Sequence, residues 1–185
     1  VVQIEGGQSY ESLEAAFNAA QSGATIKLLS SVSGIGDIYI SNKSITVDLN
    51  DHDINFAESC CFIVYQNATL TLTGKGTIRA QNTSTGYPTI QVNGAGDPTG
   101  HTKLIVGKDI TLCNSPQKFA IGVVGTGSNG YGANVDFSGK ISGCAGITIS
   151  GNIKAGNSSI NINSTAEINS GNGVGLYAAG VGDWT

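Results

Sequence analysis

Short segments in which apolar and polar residues alternate recur along the chain, and their apolar positions form three series. The first series consists of Ile38, Phe62, Ile90, Ile121, Ile147 and Val174. The second consists of Ile45, Leu70, Leu104, Val135 and Ile160, and the third of Ile54, Ile78, Ile110, Ile141 and Ile168. Neighbours within a series lie about 24 to 34 residues apart, a spacing typical of solenoid repeats. The pattern predicts an all-β parallel β-helix with three strands per coil, in which inward side chains stack into apolar columns.

The turn between the second and third strands of each predicted coil has a recurring composition. It reads Gly74-Lys75, Gly107-Lys108 and Gly139-Lys140 in three coils, with Asn50-Asp51 in an early coil and Ser164-Thr165 in a late one. Glycine and asparagine adopt positive φ at low cost. We therefore expect a sharp corner at this place in every coil.

One segment, about residues 9–22, has the pattern of an amphipathic helix, and Ser9 is a suitable N-cap. Its apolar face consists of Tyr10, Leu13, Phe17 and Ala20. Because the first coil of a solenoid exposes an apolar end, we expect this helix to cap it. The predicted organisation is an N-terminal cap over residues 1–34, made of the helix and the first strand, followed by β-helix coils over residues 35–185.

No similar capping pattern follows the last apolar segment, residues 174–177. We therefore expect the coils to be truncated at their C-terminal end. A bare strand edge invites pairing, so the uncapped end, or a flat strand face, is a candidate surface for self-association.

Charge and hydropathy narrow the choice of partners. The 185 residues carry a formal net charge of −4, and we expect no binding to nucleic acid. No stretch approaches the ~18 consecutive apolar residues that a membrane-spanning helix needs, so we expect no membrane insertion.

Three stretches near the start of the chain are similar to a known family. The segments YESLEAA (10–16), GATIKLL (23–29) and ITVDLN (45–50) resemble the opening of pectate-lyase-like right-handed parallel β-helix domains. The resemblance is to such domains in large surface proteins of Gram-positive bacteria and their phages. It implies a right-handed coil and an extracellular location, at a cell surface or a virion surface. It implies much less about chemistry, because one fold carries many functions.

Asp48, Asp51 and Asp53 belong to the densest polar cluster and are the candidate metal ligands. Ca²⁺ prefers several hard oxygen ligands, and a pair of acids could also act on a sugar. Polysaccharide lyases of the resembling fold add a basic residue as the base, and the chain has one arginine, Arg79. The acids are predicted at a different corner from Arg79, so we favour a role as polar turn residues and predict no catalytic residues, no metal and no cofactor.

Lys75, Lys108 and Lys140 recur at the predicted corners and should form a column of cations along one edge. Such a column is a candidate binding surface for an anionic polymer. Turn lysines also discourage sideways pairing without binding any ligand, and we favour this second interpretation.

Tyr39 and Tyr65 lie one and three places after the first-series residues Ile38 and Phe62. Both side chains should therefore point outward on neighbouring coils. Outward aromatic rings suit the binding of sugar rings. Strand propensity alone also brings tyrosines to sheet surfaces, and the sequence favours neither interpretation over the other.

Cys113 and Cys144 each follow a third-series isoleucine by three residues, which predicts equivalent points on adjacent coils. Adjacent coils are close enough for a disulfide between these two cysteines. Two stacked, reduced and buried thiols are the alternative.

Three hypotheses for function remain. We predict a non-catalytic extracellular surface or adhesion rod that binds a polysaccharide or a host-surface glycan. The first alternative is a structural fibre of a phage or of a surface appendage. The second is a polysaccharide lyase or glycoside hydrolase acting on acidic polysaccharide, which the sparse charges disfavour.

Overall fold

Short strands stacked in three sheets make up the computed structural model of the chain. The structure describes residues 1–83, 86–94, 102–125, 133–151, 158–170 and 175–179. The first elements are β1 (Val2–Ile4), β2 (Ser9–Tyr10), α1 (Leu13–Ala19), β3 (Thr25–Leu28), β4 (Val32–Ile35), β5 (Ile38–Ser41), β6 (Ser44–Asp48), β7 (Ile54–Phe56), β8 (Phe62–Tyr65), β9 (Thr69–Thr73) and β10 (Gly76–Arg79). They are followed by β11 (Ile90–Asn93), β12 (Lys103–Val106), β13 (Ile110–Cys113), β14 (Phe119–Gly125), β15 (Asn134–Phe137), β16 (Lys140–Ser142), β17 (Ala145–Gly151), β18 (Ser159–Ile162), β19 (Glu167–Asn169) and β20 (Leu176–Ala179).

Each coil contributes one strand to each sheet. Sheet A has the order β18-β15-β12-β9-β6-β3-β1-β2, sheet B has β19-β16-β13-β10-β7-β4, and sheet C has β20-β17-β14-β11-β8-β5. Strand β1 pairs antiparallel with β2 and β3, and the pairs from β3 onward are parallel. The chain is therefore an all-β parallel β-solenoid, as the periodicity predicts.

The second predicted series is confirmed as a continuous column in sheet A. Its members pair residue for residue from Ile45 to Ile160. The first series is confirmed in sheet C as far as Ile147, which pairs with Leu176. Val174, the predicted last member, lies outside the described residues.

The third series needs one correction. Leu112, not Ile110, aligns with Ile78 on one side and with Ile141 on the other. Ile110 and Leu112 are both fully buried, because side chains two apart in a strand face the same side. The alternating pattern therefore cannot show which of the two residues aligns with Ile78, because both point inward.

The interior is a continuous column of apolar side chains between the three sheets. Its fully buried members include Ile40, Val64, Val92 and Val123 from sheet C, Val47, Leu72 and Phe137 from sheet A, and Ile54, Ile78 and Ile141 from sheet B. Phe62 contacts Phe56 with ring centroids 4.9 Å apart and Phe17 of α1 at 5.9 Å. Burial of these side chains, each contributing ~1.5–3 kcal/mol, is the main stabilising term.

The helix is shorter than the predicted range of 9–22. It begins after Ser12, whose hydroxyl accepts a hydrogen bond from Ala15 N at 3.1 Å, so the prediction of Ser9 as the N-cap is wrong. Ser9 belongs to β2 instead and pairs with β1. Leu13, Ala16 and Phe17 form the buried face of the helix and join the core.

The C-terminal end of α1 is joined to the first coil by Lys43, in the turn between β5 and β6. Its Nζ donates to Phe17 O at 2.5 Å and lies 3.4 Å from Ala20 O. These carbonyl groups lie at the helix end, where backbone acceptors lack a partner within the helix.

The predicted division into a cap over residues 1–34 and coils from residue 35 stays a prediction. Strand β4 crosses this boundary and lies in sheet B.

The predicted corner is confirmed in part. Asn50 and Gly74 have φ of 48° and 73°, as expected for a sharp turn. Gly107 and Gly139 lack positive φ, and close packing explains them instead: an added Cβ would lie 2.9 Å from Leu72 O at Gly107 and 2.6 Å from Ile110 O at Gly139.

A polar ladder runs across the outer face of sheet A. Asp136 Oδ2 lies 2.5 Å from Lys103 Nζ, and Asp136 Oδ1 accepts from Asn161 Nδ2 at 2.7 Å. The hydrogen bonds from Lys103 and Asn161 hold the pKa of Asp136 below its ordinary value.

No helix in the described part of the chain is long and apolar enough to cross a membrane.

Candidate functional site

The outer face of sheet C carries a mixture of aromatic, amide and hydroxyl side chains. Its strands alternate buried residues with outward ones, so the outward residues align in rows across the coils. One row consists of Tyr39, Ile63, Gln91, Gly122, Thr148 and Tyr177. The next row includes Ser41, Tyr65, Asn93, Val124 and Ser150.

Tyr39 and Tyr65 lie together on this face, as their positions in the sequence predict. Their ring centroids are 6.4 Å apart and the rings meet edge to face at 83°. Tyr39 is 58% exposed, and its hydroxyl donates to Asp37 Oδ2 at 3.5 Å. The negative charge of Asp37 raises the pKa of Tyr39 above its ordinary value, so its phenol stays neutral at physiological pH.

A shallow cavity of about 330 Å³ opens beside the two rings. Its lining residues are Tyr39, Ile63, Tyr65, Tyr87, Gln91 and Asn93. Tyr87 comes from the loop between β10 and β11 and is 46% exposed. The third tyrosine therefore comes from outside the strands that carry Tyr39 and Tyr65.

A second cavity, of about 270 Å³, lies further along the stack. It shares Tyr87 and Gln91 with the first cavity, and Thr148 and Ser150 line it from β17. Gly122 forms part of its wall, where an added Cβ would lie 2.9 Å from Pro88 Cγ. We call the two cavities together the sheet C groove, lined by Tyr39, Ile63, Tyr65, Gly86, Tyr87, Pro88, Gln91, Asn93, Gly122, Val124, Thr148 and Ser150.

Two buried asparagines hold the Tyr87 loop. Asn82 Nδ2 donates to Tyr87 O at 2.8 Å, and Asn114 Nδ2 donates to the same carbonyl oxygen at 3.2 Å. Asn114 Oδ1 in turn accepts from Asn82 N at 3.2 Å. Thr89, at the end of the loop, donates through its hydroxyl to Cys113 O at 2.7 Å. These buried hydrogen bonds hold the backbone in place at Tyr87.

The predicted metal candidates each make separate local contacts. Asp48 Oδ1 accepts from Asn50 N at 3.0 Å, and Asp53 Oδ1 accepts from Thr77 N at 2.7 Å. Asp51 lies 3.6 Å from Lys75 Nζ in an exposed pair. Across the described residues, no three histidine, cysteine or acidic side chains are grouped so that they could hold a metal ion.

The predicted column of cations is not formed as expected. Each of the three lysines lies next to an acid: Lys75 by Asp51, Lys108 by Asp109 at 2.8 Å, and Lys140 by Glu167 at 3.0 Å. The lysines are also out of register. The pairs Leu72↔Val106 and Gly76↔Ile110 align Lys108 with Gly74, whereas Lys140 aligns with Thr111. Lys108 lies one residue earlier than Lys75 in a corner of the same length, whereas the corner before Lys140 is two residues shorter. The neighbouring acids also reduce the positive potential.

Cys113 and Cys144 are both buried free thiols in the structure, not a disulfide. Since Leu112 aligns with Ile141, Cys113 lies opposite Ser142, two residues before Cys144. The prediction that Cys113 and Cys144 occupy equivalent positions assumed that Ile110 aligns with Ile141. It is wrong because Leu112 aligns with Ile141 instead. Burial raises the pKa of Cys144 to about 11, which keeps the thiol protonated.

Sequence reasoning placed Tyr39 and Tyr65 as outward neighbours but did not place the rest of the groove. The outward positions of the first strand in each coil, extended from Tyr39 to Gln91 and Thr148, contain the signal for most of it. Tyr87 lies in a loop, where no alternation predicts its direction. Two further aromatic residues, Tyr131 and Trp184, lie outside the described residues.

No protein-family model matches the chain, and no curated protein or solved structure is significantly similar to it. Conclusions about function therefore depend on the molecule's own features, which are a parallel β-solenoid and a tyrosine-lined groove on one sheet.

Proposed function

We propose that the protein is an extracellular rod that binds uncharged carbohydrate in the sheet C groove without converting it chemically. One observation supports this above all. Three tyrosines stand beside amide and hydroxyl side chains, and no charged side chain is among the described residues that line the groove. Tyrosine rings offer flat apolar faces with a polar rim, while amides and hydroxyls both donate and accept hydrogen bonds.

The distribution of charge supports a neutral ligand over an anionic one. Lys75, Lys108 and Lys140 lie at the corners between sheets A and B, each beside an acid and away from the groove. A uronate or phosphate polymer bound in the groove would meet no described cation there, and the Asp37 carboxylate beside Tyr39 would repel it.

The hydrogen bonds made by the candidate acids support binding of carbohydrate without chemical conversion. Asp48 and Asp53 are engaged with backbone N–H groups of their own and neighbouring corners. Glycoside hydrolysis needs two acids facing one bond, about 5 to 9.5 Å apart. Asp48 and Asp53 stabilise turns through these hydrogen bonds, and neither lines the sheet C groove.

The finer features of the fold belong to the same proposal. Parallel crossover connections are right-handed in ~98% of cases, which supports a right-handed coil. The contact between Phe17 and Phe62 supports α1 as the cap of the first coil. With these features the rod would be pectate-lyase-like in architecture, and we propose a bacterial or phage surface as its location.

A glycan array with neutral and acidic polysaccharides tests the proposal, with released reducing ends and unsaturated products measured on the same samples. We expect binding of neutral glycans without product. Tyr65→Ala should abolish binding, whereas Tyr177→Ala should not, because Tyr177 is an exposed tyrosine of sheet C outside both cavities. Product formation, or preference for acidic glycans that is lost in Lys108→Ala, would overturn the proposal.

A structural fibre is the second candidate function, and the last described coil favours it. Ile162 and Leu176 align with the fully buried Phe137 and Ile147, yet they are 45% and 56% exposed. Core-facing residues thus remain open at this end of the described stack. Sedimentation equilibrium tests the idea: a concentration-dependent oligomer that Leu176→Asp dissolves supports it, and a persistent monomer opposes it.

A further inference from the structure

The two cavities of the sheet C groove are neighbours that share one wall. Tyr87 and Gln91 line both, with Tyr39 and Tyr65 on one side and Thr148 and Ser150 on the other. The first cavity spans β5, β8 and β11, and the second spans β11, β14 and β17. The cavities are therefore aligned along the axis of the solenoid, across the strands.

We propose that these cavities are two subsites for one uncharged oligosaccharide, laid along the solenoid axis and held on both sides of Tyr87. This inference rests on the proposed function and specifies its ligand. Four strand spacings separate β5 from β17, which is about 19 Å at the usual distance between paired strands. That length exceeds a single sugar and suits a chain of several.

The difference between the two subsites gives the ligand a direction. The first cavity supplies two rings, Tyr39 and Tyr65, and is suited to the apolar face of a sugar. The second supplies the hydroxyl groups of Thr148 and Ser150 beside Gly122, whose lack of a side chain leaves room for Pro88. A sugar there would be held by hydrogen bonds more than by stacking.

The buried asparagines set the spacing between the subsites, because they fix the backbone of Tyr87 from beneath. Asn82 is fully buried and is a positioning residue in this arrangement. Its Oδ1 has no hydrogen-bond partner among the described residues. Removal of the Asn82 side chain therefore loses one bond to Tyr87 O and also removes a buried unsatisfied oxygen, so the net effect on stability is small. Asn114 continues to bond Tyr87 O in such a variant.

Chain-length dependence tests the inference. Isothermal titration would compare disaccharides and hexasaccharides of glucose (β-1,4 and α-1,4 linked) and of mannose, with galacturonate oligomers of the same lengths as the charged comparator. We expect a neutral hexasaccharide to bind about tenfold or more tightly than its disaccharide, because it occupies both subsites at once. Asn82→Ala should reduce this ratio, with the melting temperature nearly unchanged. A purely structural role of Asn82 would lower the melting temperature and leave the ratio intact.

The outcomes separate the two proposals. Neutral sugars that bind equally well at both lengths would overturn the paired subsites and leave the proposed function standing. Preference for the galacturonate hexamer would overturn the assignment of an uncharged ligand. If no sugar binds to the wild-type protein at any length, the proposed function fails and this inference fails with it.

Discussion

Replacement of Lys43 with methionine should destabilise the junction between α1 and the coils. The substitution keeps most of the apolar stem and removes the ammonium group that bonds Phe17 O and lies near Ala20 O. A hydrogen bond to a charged group contributes ~1.5–3 kcal/mol, and the 2.5 Å bond to Phe17 O carries most of this interaction. Because Lys43 is only partly buried, water will replace part of the loss, and we expect the free energy of unfolding to fall by about 2 kcal/mol.

Urea unfolding followed by circular dichroism measures this change, and Lys75→Met is the matched control. Lys75 is 77% exposed and its partner Asp51 is 74% exposed, so loss of that pair should cost below about 0.5 kcal/mol. Solenoids can unfold in parts, so hydrogen exchange of residues 13–28 should accompany the unfolding curves. Equal destabilisation by the two substitutions, or unchanged exchange in 13–28 for Lys43→Met, would show that Lys43 does not stabilise this junction.

Three further predictions concern single sites. The pKa of Asp136 is lowered in the folded state, so its contribution to stability is present above the unfolded-state pKa and is lost as pH falls through the folded-state value. Asp136→Asn should therefore flatten the loss of stability below about pH 4, measured by urea unfolding. An unchanged pH profile in this variant would oppose the prediction. Gly139→Ala should lower the free energy of unfolding by about 1–3 kcal/mol through backbone contact, whereas Gly36→Ala, with no atom within 4 Å of the new Cβ, should have little effect in the same assay. Burial raises the pKa of Cys61 to about 12, whereas Cys60 is partly exposed. Iodoacetamide should therefore label Cys60 first in the native protein at pH 8, as read by mass spectrometry. Labelling of Cys61 before Cys60 would contradict this.

The sheets could be predicted from the sequence because alternation and repeat spacing are both periodic. Ile45 and Leu70 illustrate this: each begins an apolar-polar alternation, and the two pair directly in the structure. The prediction failed where two inward residues lie in one strand, as with Ile110 and Leu112. A period of two cannot distinguish them, and only the length of the preceding corner decides which one aligns with Ile78.

The helix boundary and the groove were harder to predict for a different reason, since both depend on contacts between distant parts of the chain. Ser9 and Ser12 are equally good N-caps by residue type, and the pairing of β2 with β1 selects Ser12. Tyr87 lies over sheet C because Asn82 and Asn114 bond its carbonyl oxygen, which no local pattern indicates. Tyr39 and Tyr65 were predicted correctly as outward neighbours, because strand alternation alone determines their direction.

Hydroxyl-radical footprinting of tyrosine side chains, read by mass spectrometry with and without saturating neutral hexasaccharide, tests the sheet C groove as the binding site most directly. The exposed Tyr39, Tyr87 and Tyr177 should all be oxidised in the free protein. We expect the sugar to protect Tyr39 and Tyr87 and to leave Tyr177 unchanged. Equal protection of all three, or a bound sugar that protects none of them, would contradict it.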